Sequence, residues 1–531
     1  MAETSAHYDL IVIGAGINGA GIARDAALRG LTVLLLDKYD FGSGTSSWSS
    51  RLIHGGLRYL EYAEIPLVFE SLRERRLLQQ LAPHLVRRLR LTIPVFSQST
   101  RSLWLVRLGM IAYDLLSIGK SVPRHQILSR ETLLEDMPEL NPEGLLGGAR
   151  YFDAQVTFAE RLVVENVIAA IEAGAVARNY SPVIGINVRN NTLKSIHYVD
   201  RMTGRETEVS ATVVVNAAGP WVDRVLATVN RVMPTCMGGT KGSHIVIRRF
   251  PGAPDNAIYA EAEADGRPFF IIPWNDQILI GTTDIRHEGD PADVAASAEE
   301  VDYLLSETSR LFPRANLKRD DINFAYAGIR PLPKHESGPE SAITRKHIIK
   351  KHRLLARGLV SIIGGKLTTY RNLAEQTVNY VNRKTGMKGA KCQTRTTGLP
   401  GADGMEVAES ALEGIATLSV RGRERLMGIY GGRAGLIAEL ANAEPELSVA
   451  ICANGDVIAA EVAYVIDREM SHTLIDIVHR RMMLGLSEDQ GKSCADAIGE
   501  VAARRFGWSG TERRLQMTAL VDYNRRLSIT A

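Results

Sequence analysis

Cysteine is scarce: four residues, Cys236, Cys392, Cys452 and Cys494, stand among 531. None forms a Cys-x-x-Cys pair and they lie too far apart along the chain for a disulfide framework. That excludes a zinc ribbon, a dithiol redox site and a stapled secreted scaffold, and points to a reducing, cytoplasm-facing compartment. No metal site is read. Proline is also sparse, at 20 residues, beside 47 glycines, 45% hydrophobic and 23% charged residues. Such composition excludes disorder and collagen-like structure. Neither charge sign dominates: 63 Lys+Arg against 60 Asp+Glu leave +3. The basic runs (Arg73/Arg75/Arg76, Arg87/Arg88/Arg90, Arg480/Arg481) are scattered, so nucleic acid is not an expected partner. No apolar run reaches the roughly 18 residues of a membrane span. The start, MAETSAHYDL, lacks a charged and then apolar leader.

What is present is a βαβ opening. Residues 8–13 read as a buried parallel strand, 19–29 as a helix ending at Gly30, and 31–37 as a second strand. A Gly/Ser/Thr-rich loop follows at 41–50, then helices at 65–82 and 101–120. Strand-like stretches recur at 212–216, 244–247, 269–273, 277–281 and 359–363. Beyond the linker at 398–404 the pattern turns helical, with 457–484, capped by Asp456 and closed by Gly485, as the longest expected helix. At this length about three domains are expected. The assignment is α/β: a discontinuous Rossmann-like domain (1–95, 150–225 and 350–398), an inserted β-sheet cap (96–149 and 226–349), and an α-helical C-terminal domain (402–531).

Gly14-Ala15-Gly16-Ile17-Asn18-Gly19 sits between the first strand and helix, with Asp37 ending the second strand. In that context the hexamer is a dinucleotide fingerprint. Gly14 permits the tight turn, Gly16 lets backbone approach a pyrophosphate, and Gly19 lets the helix pack on the sheet. The helix N-terminus offers N–H groups to the anion, and Asp37 would accept the adenosine ribose hydroxyls. A nicotinamide enzyme usually continues βαβαβ within about 150 residues. Here the second strand runs into Gly42-Ser43-Gly44-Thr45-Ser46-Ser47, and a strand–Gly-Gly–helix appears only at 362–372. A helix N-terminus at Gly365–Leu367 would face a flavin edge that gains negative charge on reduction. The organisation favours FAD.

Thr45-Ser46-Ser47-Trp48-Ser49-Ser50-Arg51-Leu52-Ile53-His54-Gly55-Gly56-Leu57-Arg58-Tyr59-Leu60 resembles the signature of the respiratory, FAD-dependent sn-glycerol-3-phosphate dehydrogenase family. Further matching motifs are Asn216-Ala217-Ala218-Gly219-Pro220-Trp221, Lys241-Gly242-Ser243-His244 and Gly281-Thr282-Thr283-Asp284. Later in the chain come Gly328-Ile329-Arg330-Pro331-Leu332, Ala342-Ile343-Thr344-Arg345 and Gly364-Gly365-Lys366-Leu367-Thr368-Thr369-Tyr370-Arg371. The resemblance spans about residues 8–400 and continues loosely at 461–469. It implies oxidation of glycerol 3-phosphate to dihydroxyacetone phosphate, with electrons passing through FAD to a membrane quinone. It also implies a peripheral enzyme on the cytoplasmic side of the inner membrane, with a homodimer considered as its assembly. The alternatives are a glycerol-3-phosphate oxidase using O2, or a related FAD amine or hydroxy-acid oxidoreductase. By the same resemblance Thr45, Ser46, Ser47, His54, Gly55, Gly219, Gly365, Leu367 and Thr368 join Gly14, Gly16, Asn18, Gly19 and Asp37 around the cofactor.

A phosphate ester near its dianionic form, with a second pKa of about 6, needs cations, each charge-assisted bond contributing on the order of 1.5–3 kcal/mol. By the resemblance the candidates are Arg58, Tyr59, Arg330, Arg345 and Lys366. Oxidising the alcohol also needs a proton acceptor, and a histidine titrates near working pH. His244 is the candidate base, with a purely structural histidine as its alternative; Arg330 would hold the C2 oxygen or the phosphate. For the bilayer, the apolar positions Trp104, Leu105, Leu108, Ile111, Ala112, Leu115 and Leu116, with Arg101, Arg107 and Lys120, fit an interfacial helix or a buried one.

Overall fold

The computed structural model describes residues 6–529 apart from 62–63, 118, 120–122, 335–345 and 387–390. Leu10, Ile11 and Val12 in strand His7–Ile13 lose all solvent exposure, as a parallel strand covered by helices on both faces requires. His7–Ile13 pairs in parallel with Val33–Leu36 on one side and Glu206–Asn216 on the other. Leu359–Ile363 adds in parallel beyond the latter, and Val176–Arg178 beyond the former. An antiparallel strand, Ile348–Lys351, closes one edge of this eight-stranded sheet. The parallel strands come from four distant parts of the chain, so the Rossmann-like layer is discontinuous.

Helix Ile17–Leu28 packs between helices Ala159–Glu172 and Tyr370–Thr385. At Gly21 a Cβ would stand 2.6 Å from the ring of Tyr370. Gly30, at φ +81°, ends the turn after that helix.

A second, ten-stranded sheet carries the long antiparallel pair Val86–Phe96 and Leu145–Val156. Both strands lie across the borders drawn at residues 95 and 150. At the other side of this sheet, Thr240–Arg248 runs between Gln277–Gly281 and Ile322–Arg330.

Beyond residue 404 come helices Met405–Glu413, Val420–Tyr430, Ala434–Ala443, Ala459–Arg468, Ala495–Phe506 and Gly510–Leu527. The single helix expected over 457–484 is corrected here. It stops at Arg468, Met470 takes φ +55°, and the chain resumes as a buried π-helical turn, Asp476–Arg481. The break follows from charge. Glu469 meets the buried Arg161 at 2.8 Å, and Ser471 Oγ donates to Val465 O at 2.9 Å, turning the chain away. Asp456 does not cap the helix; it accepts from Ser419 Oγ at 2.5 Å instead. The cysteine reading is corrected too: Cys452 and Cys494, 42 positions apart, form a disulfide with a Cα–Cα distance of 5.3 Å. The expectation of a reducing compartment loses that support. Cys236 and Cys392 are free. No helix of the described residues is long and apolar enough to cross a membrane.

Glu469→Ala would leave Arg161 buried without its carboxylate. Removing one partner of a buried pair costs about 3–5 kcal/mol, so chemical denaturation should read a stability loss of that order. A loss below about 1 kcal/mol, the range of an exposed pair, would refute the pairing.

Candidate active site

The carboxyl end of strand His7–Ile13 delivers Gly14, at φ +97°, where a Cβ would lie 2.7 Å from the Cα of Ala218. Only glycine fits. At Gly19 a Cβ would overlap the Gly14 carbonyl, so this residue sets helix–strand packing and does not reach the cavity. Helix Ile17–Leu28 starts at Gly16 with no side-chain cap hydrogen bond from that residue. The Ile17 N–H donates to Ser46 Oγ at 3.0 Å. Asn18 donates through Nδ2 to Gly364 O at 3.3 Å, while its buried Oδ1 has no partner. Gly365, at φ +104°, lies so close to Asn18 that a Cβ would come within 2.8 Å of the amide. Two glycine turns some 350 residues apart thus face each other.

Asp37 accepts from the Ala15 N–H at 2.6 Å and the Tyr39 N–H at 3.0 Å. Burial pushes its pKa up to about 6, against the pull of those two N–H groups. Beside it, Lys38 Nζ lies 3.9 Å above the ring of Trp221.

These residues line one end of a cavity of about 1460 Å³. Ligand pockets are typically about 300–1,000 Å³, so this one has room for a dinucleotide and a small substrate together. Gly14, Gly16, Asn18, Asp37, Thr45 and Ser46 are in its wall, as are His54, Gly219, Gly365, Leu367 and Thr368. The N-terminus of helix Ile17–Leu28 and the bare glycine turns form a cradle that fits a pyrophosphate. Ser47 turns away and donates to Gly42 O at 2.6 Å. Gly55 also lies outside the wall; its N–H donates to Tyr113 Oη and to Asp153 Oδ1, each at 3.1 Å.

At the other end, His244 stands opposite Gly281, where a Cβ would reach within 2.3 Å of the imidazole. Its Nε2 shares a 2.8 Å hydrogen bond with Ser50 Oγ, and its ring stacks on Tyr326 at 4.9 Å between centroids. Burial first, then the charges of Arg330 and Arg51, push its pKa down to about 3. The imidazole is neutral at pH 7.

Arg330 is held by Asp284 Oδ1, Thr282 Oγ1 and Thr283 O, each at 2.9 Å. Lys366 Nζ lies 3.5 Å over the ring of Tyr59, and 3.4 Å from Ser71 Oγ. His54 sits edge-on to Phe270 at 6.4 Å, and burial lowers its pKa to about 4. His244, Arg330, Tyr59 and Lys366 therefore share the cavity. Arg58 falls in a short helix, its side chain outside the described residues, and Arg345 lies outside them altogether. Sequence reasoning missed Ser50, Tyr326 and Asp284. Ser50, within the 45–60 signature, and Asp284, at the end of a Gly-Thr-Thr-Asp motif, each left a signal that could have been used; Tyr326 did not.

Residues 9–371 match the family described as FAD dependent oxidoreductase. The chain belongs to that family. FAD is accordingly its cofactor, and the cradle above is built for it. Residues 392–513 match the C-terminal domain of alpha-glycerophosphate oxidase. The chain is 45% identical to a glycerol-3-phosphate dehydrogenase of Synechocystis sp., covering 97% of this chain and 96% of that one. It is 38% identical to the D-erythritol 1-phosphate dehydrogenase of Brucella abortus, covering 89% and 93%. In three dimensions it is similar to the glycerol-3-phosphate dehydrogenase of Bacillus halodurans complexed with FAD. That match has a TM-score of 0.79 and 28% identity, and covers 98% of this chain and 95% of that one.

Burial keeps four histidines neutral: His54 and His352 with pKa values lowered to about 4, His244 and His479 to about 3. Each gives stability that is complete above its unfolded pKa of about 6.5 and is lost as pH falls toward the lowered value. Asp37, raised to about 6, acts the other way and loses its contribution as pH rises. Four groups outweigh one, so the melting temperature of the apoprotein should drop between pH 7 and pH 5. A constant or rising value at fixed ionic strength would contradict the burial of these rings.

Proposed function

We propose that this chain oxidises sn-glycerol 3-phosphate to dihydroxyacetone phosphate, with FAD as the immediate acceptor and a membrane quinone as the final one. The observation that carries this reading is a single cavity joining a dinucleotide cradle to a cationic end with Arg330, Lys366 and the neutral His244. Its support lies in the relatives of high identity that bear the name glycerol-3-phosphate dehydrogenase.

Bound FAD supplies a two-electron acceptor. Arg330, held by Asp284, Thr282 and Thr283, sets its positive charge in the cavity wall, where it would attract the phosphate or the C2 oxygen. Lys366 adds a second charge beside Tyr59. When the alcohol loses hydride from C2, its hydroxyl proton needs an acceptor. His244 Nε2, hydrogen-bonded to Ser50 Oγ, stands ready in the unprotonated form. The incoming dianion offsets the positive potential of Arg330 and Arg51, which raises the basicity of His244 only when substrate is present.

The 38% identical relative named for D-erythritol 1-phosphate supports a second reading, in which the substrate is a longer polyol phosphate with the same terminal phosphate. Anaerobic addition of glycerol 3-phosphate should bleach the bound flavin, and D-erythritol 1-phosphate should do so more slowly. The reverse order would favour the second reading; no bleaching by either would refute both. An oxygen electrode, with and without a quinone analogue, tests the acceptor. His244→Ala and Arg330→Ala should each bind FAD normally yet lose kcat/KM by at least tenfold. Unaltered turnover would remove that residue from the chemistry.

A bilayer as partner draws its support from helix Leu103–Leu116, where Met110 and Tyr113 are the buried residues. Trp104 is 68% and Leu115 63% exposed, with Leu105, Leu108 and Ile111 also in solvent. Arg101 is taken up by Glu261 at 2.6 Å, which leaves Arg107 as the exposed cation among the described residues of this segment; Lys120 lies outside them. The enzyme would then rest peripherally on the cytoplasmic side of the inner membrane. Trp104→Ser with Leu115→Ser should weaken sedimentation with anionic liposomes at least fivefold; equal binding would dismiss this surface.

A further inference from the structure

The cavity wall includes residues from beyond position 404: Thr473, Ile475 and Arg480 share it with Asp37 and Tyr180. These lie in or beside the π-helical turn Asp476–Arg481, all six residues of which are buried. In that turn the neighbouring Arg480 and Arg481 both reach Asp40. Arg480 Nε lies 2.6 Å from Asp40 Oδ2, and the two terminal nitrogens of Arg481 fork onto the carboxylate at 2.8 Å each. Arg480 also meets Asp476 Oδ1 at 2.5 Å. Two carboxylates and two guanidiniums are thus balanced out of water. Burial alone would raise the pKa of Asp40, yet Arg481 and Arg480 outweigh it and hold the group ionised.

Asp40 is three residues from Asp37, and the same turn grips the chain on the other side of the pocket. Tyr180 Oη donates to Asp476 Oδ1 at 2.6 Å, and the Tyr180 N–H donates to Tyr39 O at 3.0 Å. The Ser181 N–H donates to Asp37 O at 2.6 Å, and Asn179 Nδ2 bridges Asp40 Oδ1 at 3.1 Å and Met470 O at 2.9 Å. Segments 37–40 and 179–181 are held as one piece by the helical domain.

We propose that the helical C-terminal domain sets the affinity for FAD, with Arg481 as a positioning residue. Through Asp40 it fixes the loop that presents Asp37 to the adenosine ribose. This rests on the reading of Asp37 as the ribose acceptor. A bidentate guanidinium–carboxylate pair fixes orientation as well as distance, and a fixed loop binds without an ordering cost. Only the adenosine half of the cofactor would profit, because that is the half Asp37 would hold.

The test is titration of full-length apoprotein with FAD and, separately, with ADP, followed by calorimetry. Arg481→Gln should raise the Kd of both at least tenfold, and Arg481→Lys, which keeps the charge without the fork, should raise it less. In the parent protein, ADP alone should slow hydrogen exchange at residues 474–481 as well as at 37–42, whereas riboflavin, which lacks the adenosine half, should not. Should Arg481→Gln fail to fold, the exchange measurement decides. A lowered apoprotein melting temperature with unchanged FAD and ADP affinity, or exchange at 474–481 indifferent to ADP, would overturn the proposal. Asp37→Asn separates the two layers: if it binds FAD as tightly as the parent, the ribose reading itself fails. If it weakens binding and Arg481→Gln does not, only the role of the helical domain fails.

Discussion

Opposite charges buried between remote segments hold this molecule in register. Arg51 meets Glu160 across 109 positions, Arg371 meets Glu74 across 297, Arg161 meets Glu469 across 308, and Arg481 meets Asp40 across 441. A guanidinium taken out of water is tolerable only when its carboxylate arrives with it. Each pair therefore makes the burial of one segment conditional on another. Glu160 and Arg161 are adjacent on helix Ala159–Glu172 and look in opposite directions, one toward the loop that carries Ser50 and the other into the helical domain. That helix couples the cavity wall to the C-terminal half.

The cavity works by the same bookkeeping of charge. Arg330 keeps one carboxylate, Asp284, and Lys366 keeps an aromatic face, so neither is a bare cation before substrate arrives. What they leave is a modest positive potential beside a histidine too buried to carry a proton. A dianion is the species such a place would accept most readily, and its arrival would raise the basicity of that histidine. Gly281 contributes by having no side chain, since any other residue there would displace the imidazole.

The local signals were legible. The Gly14–Gly19 turn, the strand before it and the Gly364-Gly365 turn depend on backbone freedom and apolar runs a few residues long, and a sequence carries these directly. The stretches 244–247, 269–273 and 277–281 of the second sheet were readable for the same reason, whereas its long pair Val86–Phe96 and Leu145–Val156 was not. What could not be read depends on partners hundreds of positions away. The interruption at Glu469 is dictated by Arg161, and the capping look of Asp456 is overridden by Ser419. Cys452 meets Cys494 only because the helices between them fold back. Within the signature 45–60, Thr45, Ser46, Ser47, His54 and Gly55 all looked engaged with the cofactor. The fold separates them, turning Ser47 inward to Gly42 and Gly55 toward Tyr113 while their neighbours face the cavity.

Tyr113 gives the outward-facing helix Leu103–Leu116 an anchor on its inner side. Its hydroxyl donates to Asp153 at 2.8 Å and receives the Gly55 N–H, and Asp153 is in turn paired with Arg75. Tyr59 follows four residues after Gly55. The patch of Trp104, Leu108 and Leu115 and the turn at Gly55 are therefore joined through one helix. One hydroxyl, that of Tyr113, thus ties the outward-facing helix to the turn at Gly55, whose neighbours His54 and Gly56 line the cavity.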